Sequence, residues 1–292
     1  MKQALLPLSL RQVALGCAFT SLTLLATTAK ATLIAEDQYL TDSADYTVGD
    51  AIGQSPASTG FSDSNAWVSG SGGGTVSIQS TSLTYADPNY TISSAGGDIF
   101  FGTTGGLRAG RGFDGSLLAA GQTSTVYMSV LMQLSSSDGY SAFELDNGGG
   151  FDDSGNRVLQ LGVGVSGGIG LGVNGQPDVT VGTYNSGVNL YVLKFTINPD
   201  ASLDTVTAWE DPTLGGVGDP TGGVTVTGAL QSTIDTVSAA SFNGGGDVTL
   251  DNFLVGTTLA DVTGSAVPEP TSWSLFGLGG LALIVIARRK LA

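Results

Sequence analysis

Leu190-Tyr191-Val192-Leu193-Lys194-Phe195-Thr196-Ile197 is the stretch that best indicates the fold of this chain. Its large side chains Tyr191, Leu193, Phe195 and Ile197 stand at every second position, which is typical of a β-strand with one buried face. Turn-forming residues follow at 198–202, and Asp204 to Trp209 has the composition of a returning strand. The stretch therefore predicts an antiparallel β-hairpin.

Short apolar segments of the same kind recur between glycine-rich stretches. Val126 to Leu134 is almost continuously apolar, which predicts a central strand buried on both faces. Helical periodicity does not compete anywhere in 32–266. Many short strands with glycine-rich turns predict an all-β protein, an antiparallel β-sandwich of the jelly-roll type. The other predicted strands are Val76 to Ile78, Ile99 to Phe101, Ala142 to Leu145, Val158 to Val165, Val237 to Phe242 and Val248 to Val255.

The N-terminal residues 1–31 have the pattern of a secretory signal peptide. Basic Lys2 and Arg11 precede an apolar core, and Ala29-Lys30-Ala31 is a small-x-small cleavage site. We therefore expect export through the Sec machinery and a mature chain that starts near Thr32. Cys17 is the only cysteine and loosely matches a lipoprotein box, but apolar residues continue beyond it, so we favour cleavage after Ala31. The mature chain then has no cysteine for a disulfide or a thiol nucleophile.

The C-terminal residues form a second export-related pattern. Val267-Pro268-Glu269-Pro270 precedes an apolar stretch at 273–287, and Arg288, Arg289 and Lys290 follow it. About 15 residues make a helix of roughly 23 Å, whereas a usual membrane span takes roughly 20 residues. Basic residues favour the cytoplasmic side of a membrane. The pattern indicates a short membrane tether beside a rigid acidic motif, since each proline fixes its own φ.

This arrangement resembles the PEP-CTERM sorting signal of Gram-negative bacteria, in which the membrane enzyme exosortase recognises the Pro-Glu-Pro motif and cuts nearby. The resemblance assigns Val267, Pro268, Glu269 and Pro270 to the sorting motif. It implies exosortase as a partner, transient association with the inner membrane, and delivery to the cell surface or the extracellular matrix. The alternative is an ordinary single-span anchor preceded by a surface turn.

The predicted organisation is a signal peptide at 1–31, a β-sandwich ectodomain at 32–257, a linker at 258–266 and a sorting signal at 267–292. Segment 32–266 contains 24 of the 25 acidic residues and four of the ten basic ones, a formal charge of −20. Such a surface repels phosphate backbones, so we exclude nucleic acid as a partner. The four basic residues are Arg108, Arg111, Arg157 and Lys194.

A second resemblance concerns the ectodomain. Exported PEP-CTERM proteins with concanavalin A-like or laminin-G-like jelly rolls are similar in four places: Leu33 to Tyr39, the Trp67 segment with Leu83-Thr84-Tyr85, the segment Asp204 to Pro212, and Val248 to Gly256. This resemblance implies carbohydrate-binding or adhesive ancestry, with extracellular polysaccharide as the partner class. It does not define a ligand.

The chain contains no histidine, which excludes Ser-His-Asp hydrolysis, Cys-His chemistry and histidine-ligated metals. Jelly-roll glycoside hydrolases commonly carry Glu-x-Asp-x-x-Glu, and Glu144-Leu145-Asp146 matches its first half, but Gly149 replaces the partner acid. We therefore expect a protein without catalytic activity, in which Glu144 and Asp146 cap a strand edge or lie in a solvated loop. A degenerate glycoside hydrolase is the less favoured alternative.

The sequence suggests two further ligand sites, one for a metal ion and one for a sugar. Oxygen-bearing side chains that suit Ca²⁺ crowd one glycine-rich loop: Asp146, Asn147, Asp152, Asp153 and Asn156. Their spacing matches no EF-hand, and the alternative is a solvated acidic loop. Asp247 and Asp251 are a poorer pair, since we expect Asp251 to face out from the last strand. Trp67 and Trp209 would stack on sugar rings if exposed, and would otherwise belong to the core.

Overall fold

The computed structural model describes residues 33–37, 46–62, 64–88, 90–93, 96–102, 106–118, 123–147, 156–165, 167–215, 218–228, 230 and 234–264. The predicted signal peptide, the sorting motif at Val267 to Pro270 and the basic residues Arg288 to Lys290 lie outside these residues. Within the described ranges, no helix is long and apolar enough to cross a membrane.

The described chain consists of strands, one short 3-10 turn (Ala201–Leu203) and one short helix, α1 (Leu259–Thr263). The strands are β1 (Leu33–Asp37), β2 (Gly49–Asp50), β3 (Val68–Gly72), β4 (Thr75–Gln79), β5 (Thr84–Ala86), β6 (Thr91–Ser93), β7 (Asp98–Gly102), β8 (Leu107–Gly112), β9 (Ser124–Leu134), β10 (Tyr140–Asp146), β11 (Arg157–Val163), β12 (Ile169–Val173), β13 (Val179–Gly182), β14 (Val188–Ile197), β15 (Thr205–Glu210), β16 (Val224–Thr227), β17 (Thr236–Phe242) and β18 (Val248–Gly256).

Two antiparallel sheets contain most of these strands. Within the described residues, a nine-stranded sheet has the order β16-β15-β14-β9-β18-β7-β4-β2, and β1 pairs with the second half of β18. A seven-stranded sheet has the order β13-β12-β11-β10-β17-β8-β3. The chain passes repeatedly between the two sheets, as from β8 to β9 and on to β10. The antiparallel jelly-roll sandwich predicted from the sequence is confirmed.

The hairpin predicted at 190–209 is present as β14 and β15, with Leu193 opposite Ala208 and Phe195 opposite Val206. The period-two pattern stabilises this hairpin, because it directs Tyr191 and every second residue after it into the space between the sheets. Side chains from both sheets meet there: the rings of Phe143 in β10 and Phe253 in β18 have centroids 6.0 Å apart. The main core lies between the two sheets.

A second apolar layer covers the outer face of the nine-stranded sheet. The β5–β6 hairpin region contributes Leu83 and Ile92, which belong to one buried cluster with Leu131 and Val192 of the sheet. This layer explains why β9 is apolar on both faces, as predicted. It also corrects the expectation for Asp251: the side chain leaves β18 on the outer face but is fully buried, and one carboxylate oxygen accepts a hydrogen bond from the Leu83 amide at 2.8 Å.

The predicted linker at 258–266 differs from the structure in its first part. Thr258 caps α1 by accepting a hydrogen bond from the Asp261 amide, and Gly264 closes the helix with φ 60°. Val262 is fully buried, and its carbonyl oxygen accepts a hydrogen bond from the Ser129 hydroxyl of β9. The folded body therefore extends to Gly264, because a cap and a buried side chain hold this short helix against the sandwich.

Candidate functional site

The outer face of the seven-stranded sheet contains an unusual set of charged side chains. Alternation along β10 directs Phe143 and Leu145 into the core, and it directs Tyr140, Glu144 and Asp146 to the opposite face. Antiparallel pairing places Gln160 of β11 and Ser238 of β17 on either side of Glu144. Register between distant strands thus assembles polar groups that are far apart in sequence.

Glu144 is the centre of this set. Its Oε2 lies 2.8 Å from Arg108 Nε, and its Oε1 accepts hydrogen bonds from Arg108 Nη2 at 2.9 Å and Arg157 Nη1 at 3.1 Å. The Tyr140 hydroxyl also donates to Oε1. Two guanidinium groups and a phenol therefore donate to Oε1 of one carboxylate, whereas Oε2 has only the ion-pair contact with Arg108 Nε. The Glu144 side chain is 0% exposed and that of Arg157 is 25% exposed, so the cluster reaches solvent through Arg157.

The shifted pKa values of this cluster follow from burial. Burial raises the pKa of Asp146 to about 7, with a further increase from the Glu144 charge, although the hydrogen bond from the Ser238 hydroxyl opposes both. Burial also raises the pKa of Tyr140, with Glu144 as the second cause. Tyr140 therefore remains a neutral donor at every physiological pH, and Asp146 titrates near neutrality.

Two neighbouring cavities adjoin the cluster and share Arg157 and Gln160. The larger has a volume of about 710 Å³ and is lined by Ser71, Arg108, Gly139, Tyr140, Arg157, Gln160, Gly164, Phe242 and Asn243. The smaller, of about 180 Å³, includes Asn174, Gln176 and Asp178 in its lining. The backbone at the edge of the larger cavity requires glycine at one position, because a Cβ at Gly164 would lie 2.3 Å from the Gly139 carbonyl oxygen. The larger cavity is wide enough for a small saccharide and carries hydrogen-bond donors on its floor.

The expectation for the two acids of the hydrolase-like motif is wrong. Glu144 and Asp146 are both 0% exposed, so they neither cap an exposed strand edge nor lie in a solvated loop. The reason is tertiary: the neighbouring strands supply Arg108, Arg157 and Ser238 as partners, which lower the cost of burying the carboxyl groups.

The calcium hypothesis is only partly covered by the described residues. Asp146 has Ser238 as its hydrogen-bond partner, and the Asn147 amide donates to the Asn156 carbonyl oxygen at 2.9 Å across the base of the loop. Asp152 and Asp153 lie outside the described residues. Among the residues that are described, no group of three or more histidine, cysteine or acidic side chains is arranged to hold a metal ion. Calcium stays a prediction from the sequence.

Both tryptophans proposed for sugar stacking are core residues. Trp67 is 1% exposed, and its indole N–H donates to the Tyr46 hydroxyl at 2.8 Å. Trp209 is 5% exposed, and its indole N–H donates to the Pro220 carbonyl oxygen at 2.9 Å. The stacking prediction is therefore wrong for both, because the packed surroundings leave no ring face for a ligand. The sequence pattern could not orient either ring.

The site residues that sequence reasoning missed are Arg108, Tyr140, Arg157 and Gln160. One signal was available in the sequence: arginine is rare in the acidic segment, so each arginine is a candidate for a specific ion pair or a ligand contact. All four basic side chains of 32–266 prove to be paired with carboxylates, since Arg111 contacts Asp37 at 3.2 Å and Lys194 contacts Asp219 at 2.6 Å. Their pairing partners come from remote strands and could not be read from local sequence.

Comparison with protein families identifies the C-terminal segment. Residues 266–290 match the family model of the PEP-CTERM protein-sorting motif. The chain thus carries a PEP-CTERM sorting motif, which confirms the resemblance stated from the sequence. No curated protein matches the chain at a significant level.

Solved structures with similar folds include a protein of unknown function from Shewanella oneidensis, with 13% identity and a TM-score of 0.42 over 87% of this chain and 95% of that one. A glycosyl hydrolase family protein from Mycobacterium fortuitum has 11% identity and a TM-score of 0.40 over 77% and 99%. A seed lectin from Lotus tetragonolobus has 11% identity and a TM-score of 0.36 over 63% and 93%. At these identities the likeness concerns the fold alone.

Proposed function

We propose that this protein is an exported, non-catalytic component of the bacterial cell surface or extracellular matrix, sorted by exosortase through Pro268-Glu269-Pro270. The observation that carries the proposal is the match of residues 266–290 to the PEP-CTERM sorting motif. Before processing, the apolar stretch at 273–287 tethers the chain to the inner membrane.

The position of the folded body supports this use of the motif. The last described helix ends at Gly264, and its contacts with the sandwich are made by residues before that point, such as Val262. Cleavage near Pro268 would therefore keep every contact that the described residues make with one another. A folded ectodomain would be released intact.

Replacing Glu269 tests the sorting proposal. We expect Glu269→Ala to leave full-length protein in the inner membrane, because the mutation removes the one charged group that the rigid motif offers to a protease. Thr271→Ala, just after the motif, is the matched control and should be processed normally. Cell fractionation and mass spectrometry of both termini measure the outcome. A Glu269→Ala protein that is processed like the wild type contradicts the proposal, as does surface-exposed product that still ends in Leu291-Ala292.

The absence of catalysis is part of the proposal. Glycoside hydrolysis with retention needs two carboxyl groups about 5 to 5.5 Å apart that can reach a sugar. Glu144 is fully buried and ion-paired with Arg108 and Arg157, so its carboxylate does not reach a sugar outside the sheet. We expect no turnover of β-glucans by the mature protein. If turnover is found, Glu144→Gln decides whether this carboxylate performs it.

A glycan-binding module is the second candidate function. The larger cavity favours it, since Tyr140 and Phe242 offer ring surface, and Gln160 and Asn243 offer amide groups that can bond to sugar hydroxyls. Binding of the mature protein to a panel of extracellular polysaccharides tests this candidate. Retention on at least one polysaccharide supports it, and failure to bind any of them contradicts it. An adhesive role at the cell surface would follow from such binding.

A further inference from the structure

The four cations of the ectodomain are not equally compensated. Arg111 pairs with Asp37 and Lys194 pairs with Asp219, one acid for each base. Arg108 and Arg157, by contrast, share the single carboxylate of Glu144. Below the Asp146 pKa of about 7, this cluster therefore carries one surplus positive charge inside a segment whose formal charge is −20.

The surplus charge borders the larger cavity. Arg157 uses Nη1 for both Glu144 and the Tyr140 hydroxyl, at 3.1 Å each. Its Nε and Nη2 make no hydrogen bond to any residue that the structure describes, and its side chain is 25% exposed. Arg108 also lines this cavity, with its guanidinium carbon 5.7 Å from the centroid of the Phe242 ring. Both guanidinium-bearing residues thus line the cavity, and guanidinium groups match the two oxygens of a carboxylate.

The charged residues around the two cavities differ in sign. Asp146 lies below the cluster on β10, and Asp178 lines the smaller cavity beyond Gln160. Arg108 and Arg157 both line the larger cavity, whereas the lining of the smaller cavity combines Arg157 with Asp178 and with amide groups that suit hydroxyls. Among the described residues that line the larger cavity, none is acidic. An acidic group would be favoured over the larger cavity and disfavoured over the smaller one.

We infer that the larger cavity binds an acidic saccharide, with a sugar carboxylate seated on the free donor edge of Arg157. This inference rests on the proposed glycan-binding function and narrows its ligand class. Long-range attraction cannot produce such binding, because the net charge of the ectodomain repels polyanions. At about 0.1 M salt the Debye length is about 10 Å, so distant acids are screened while contact pairs persist.

A pair of ligands that differ only in charge tests the inference. We would measure binding of the mature, cell-released protein to oligogalacturonate and to the same oligosaccharide with its carboxyl groups fully methyl-esterified. We expect the acidic form to bind roughly 10- to 100-fold more tightly, the range of a hydrogen bond to a charged group. Equal binding of the two forms would overturn the acidic specificity and leave the glycan-binding candidate standing. Absence of binding to any polysaccharide would overturn both.

Substitution at Arg157 locates the site. Arg157→Gln should abolish the preference for the acidic form, and Lys194→Gln should leave the preference unchanged. Lys194 is a matched control, because its side chain is also 25% exposed and ion-paired but belongs to the other sheet. A preference that survives in folded Arg157→Gln would overturn the assignment.

A second substitution keeps the test decisive if Arg157→Gln fails to fold. Arg157→Lys retains a cation beside Glu144 but lacks the planar fork. It should keep the preference for the acidic form with weaker binding. Loss of that preference in folded Arg157→Lys would contradict a role for the charge at this position.

Discussion

Replacing Asp146 with asparagine should make the protein more stable at neutral and alkaline pH. In the fold, burial raises the pKa of Asp146 from an ordinary value of 3.8 to about 7. The unfolded chain therefore releases this proton at lower pH than the folded chain does. The contribution of Asp146 to the free energy of unfolding is fully present below the pKa of the unfolded chain. It is lost as the pH rises through the pKa of the folded chain.

The magnitude follows from the two pKa values. A difference of about three pKa units corresponds to about 4 kcal/mol of unfolding free energy, at 1.36 kcal/mol per unit. Roughly 3 kcal/mol of that loss falls between about pH 5 and about pH 8. The Asp146→Asn protein keeps an acceptor for the Ser238 hydroxyl and has no proton to lose, so this loss should be missing from it.

Urea unfolding at the two pH values measures the effect, with the fluorescence of the buried Trp67 and Trp209 as the signal. The stability gap is the difference in unfolding free energy between mutant and wild type at one pH. Its change between the two pH values reports the titration of Asp146, because any effect of the substitution that does not depend on pH cancels. Asp200→Asn is the control: hydrogen bonds from Ser202 lower the pKa of exposed Asp200, so above about pH 5 this group is ionised in both the folded and the unfolded chain, and its gap should be the same at the two pH values. A gap for Asp146→Asn that is the same at both pH values would refute the reasoning.

Three further substitutions have defined outcomes in the same unfolding assay. Glu144→Gln leaves two guanidinium groups without a counter-charge and should cost about 3 to 5 kcal/mol; a near-neutral result would show that the ion cluster is not formed. Thr258→Ala removes the cap of α1 and should cost about 1 kcal/mol, and Thr258→Ser should restore most of it. Gly139→Ala should cost more than Gly244→Ala: both positions have positive φ, but only at Gly139 would the new Cβ meet backbone, 2.3 Å from the Gly245 nitrogen. Equal losses for the two glycines would contradict that contact.

The β-sandwich was predictable because its signal is local. The alternation from Tyr191 to Ile197 needs only the two-residue period of a strand, and β9 was apolar along its whole length. The turn residues after Ile197 then fixed the hairpin with β15. What covers β9 on its outer face was not predictable, because the β5–β6 hairpin lies far from it in sequence.

The candidate site was beyond sequence reasoning for the same reason. Arg108 and Arg157 reach Glu144 across 36 and 13 residues of chain, and the four strands β11, β10, β17 and β8 must pair in one register before they meet. Local sequence showed Glu144 and Asp146 only as an incomplete hydrolase motif. Their burial, and the burial of Trp67 and Trp209, depends on which remote side chains pack above them.

Sequence alone determined the sorting motif, the acidic character and the period-two strands and predicted the N-terminal signal peptide, because each of these is a property of consecutive residues. A protease that reads Pro268-Glu269-Pro270 needs an extended chain and no fold around it. Tertiary structure alone decided where the charges went: it turned two scarce arginines and one glutamate into a buried cluster beside a cavity. Charge pairing at that place requires strands brought together by the closure of the sandwich, and no run of neighbouring residues encodes it.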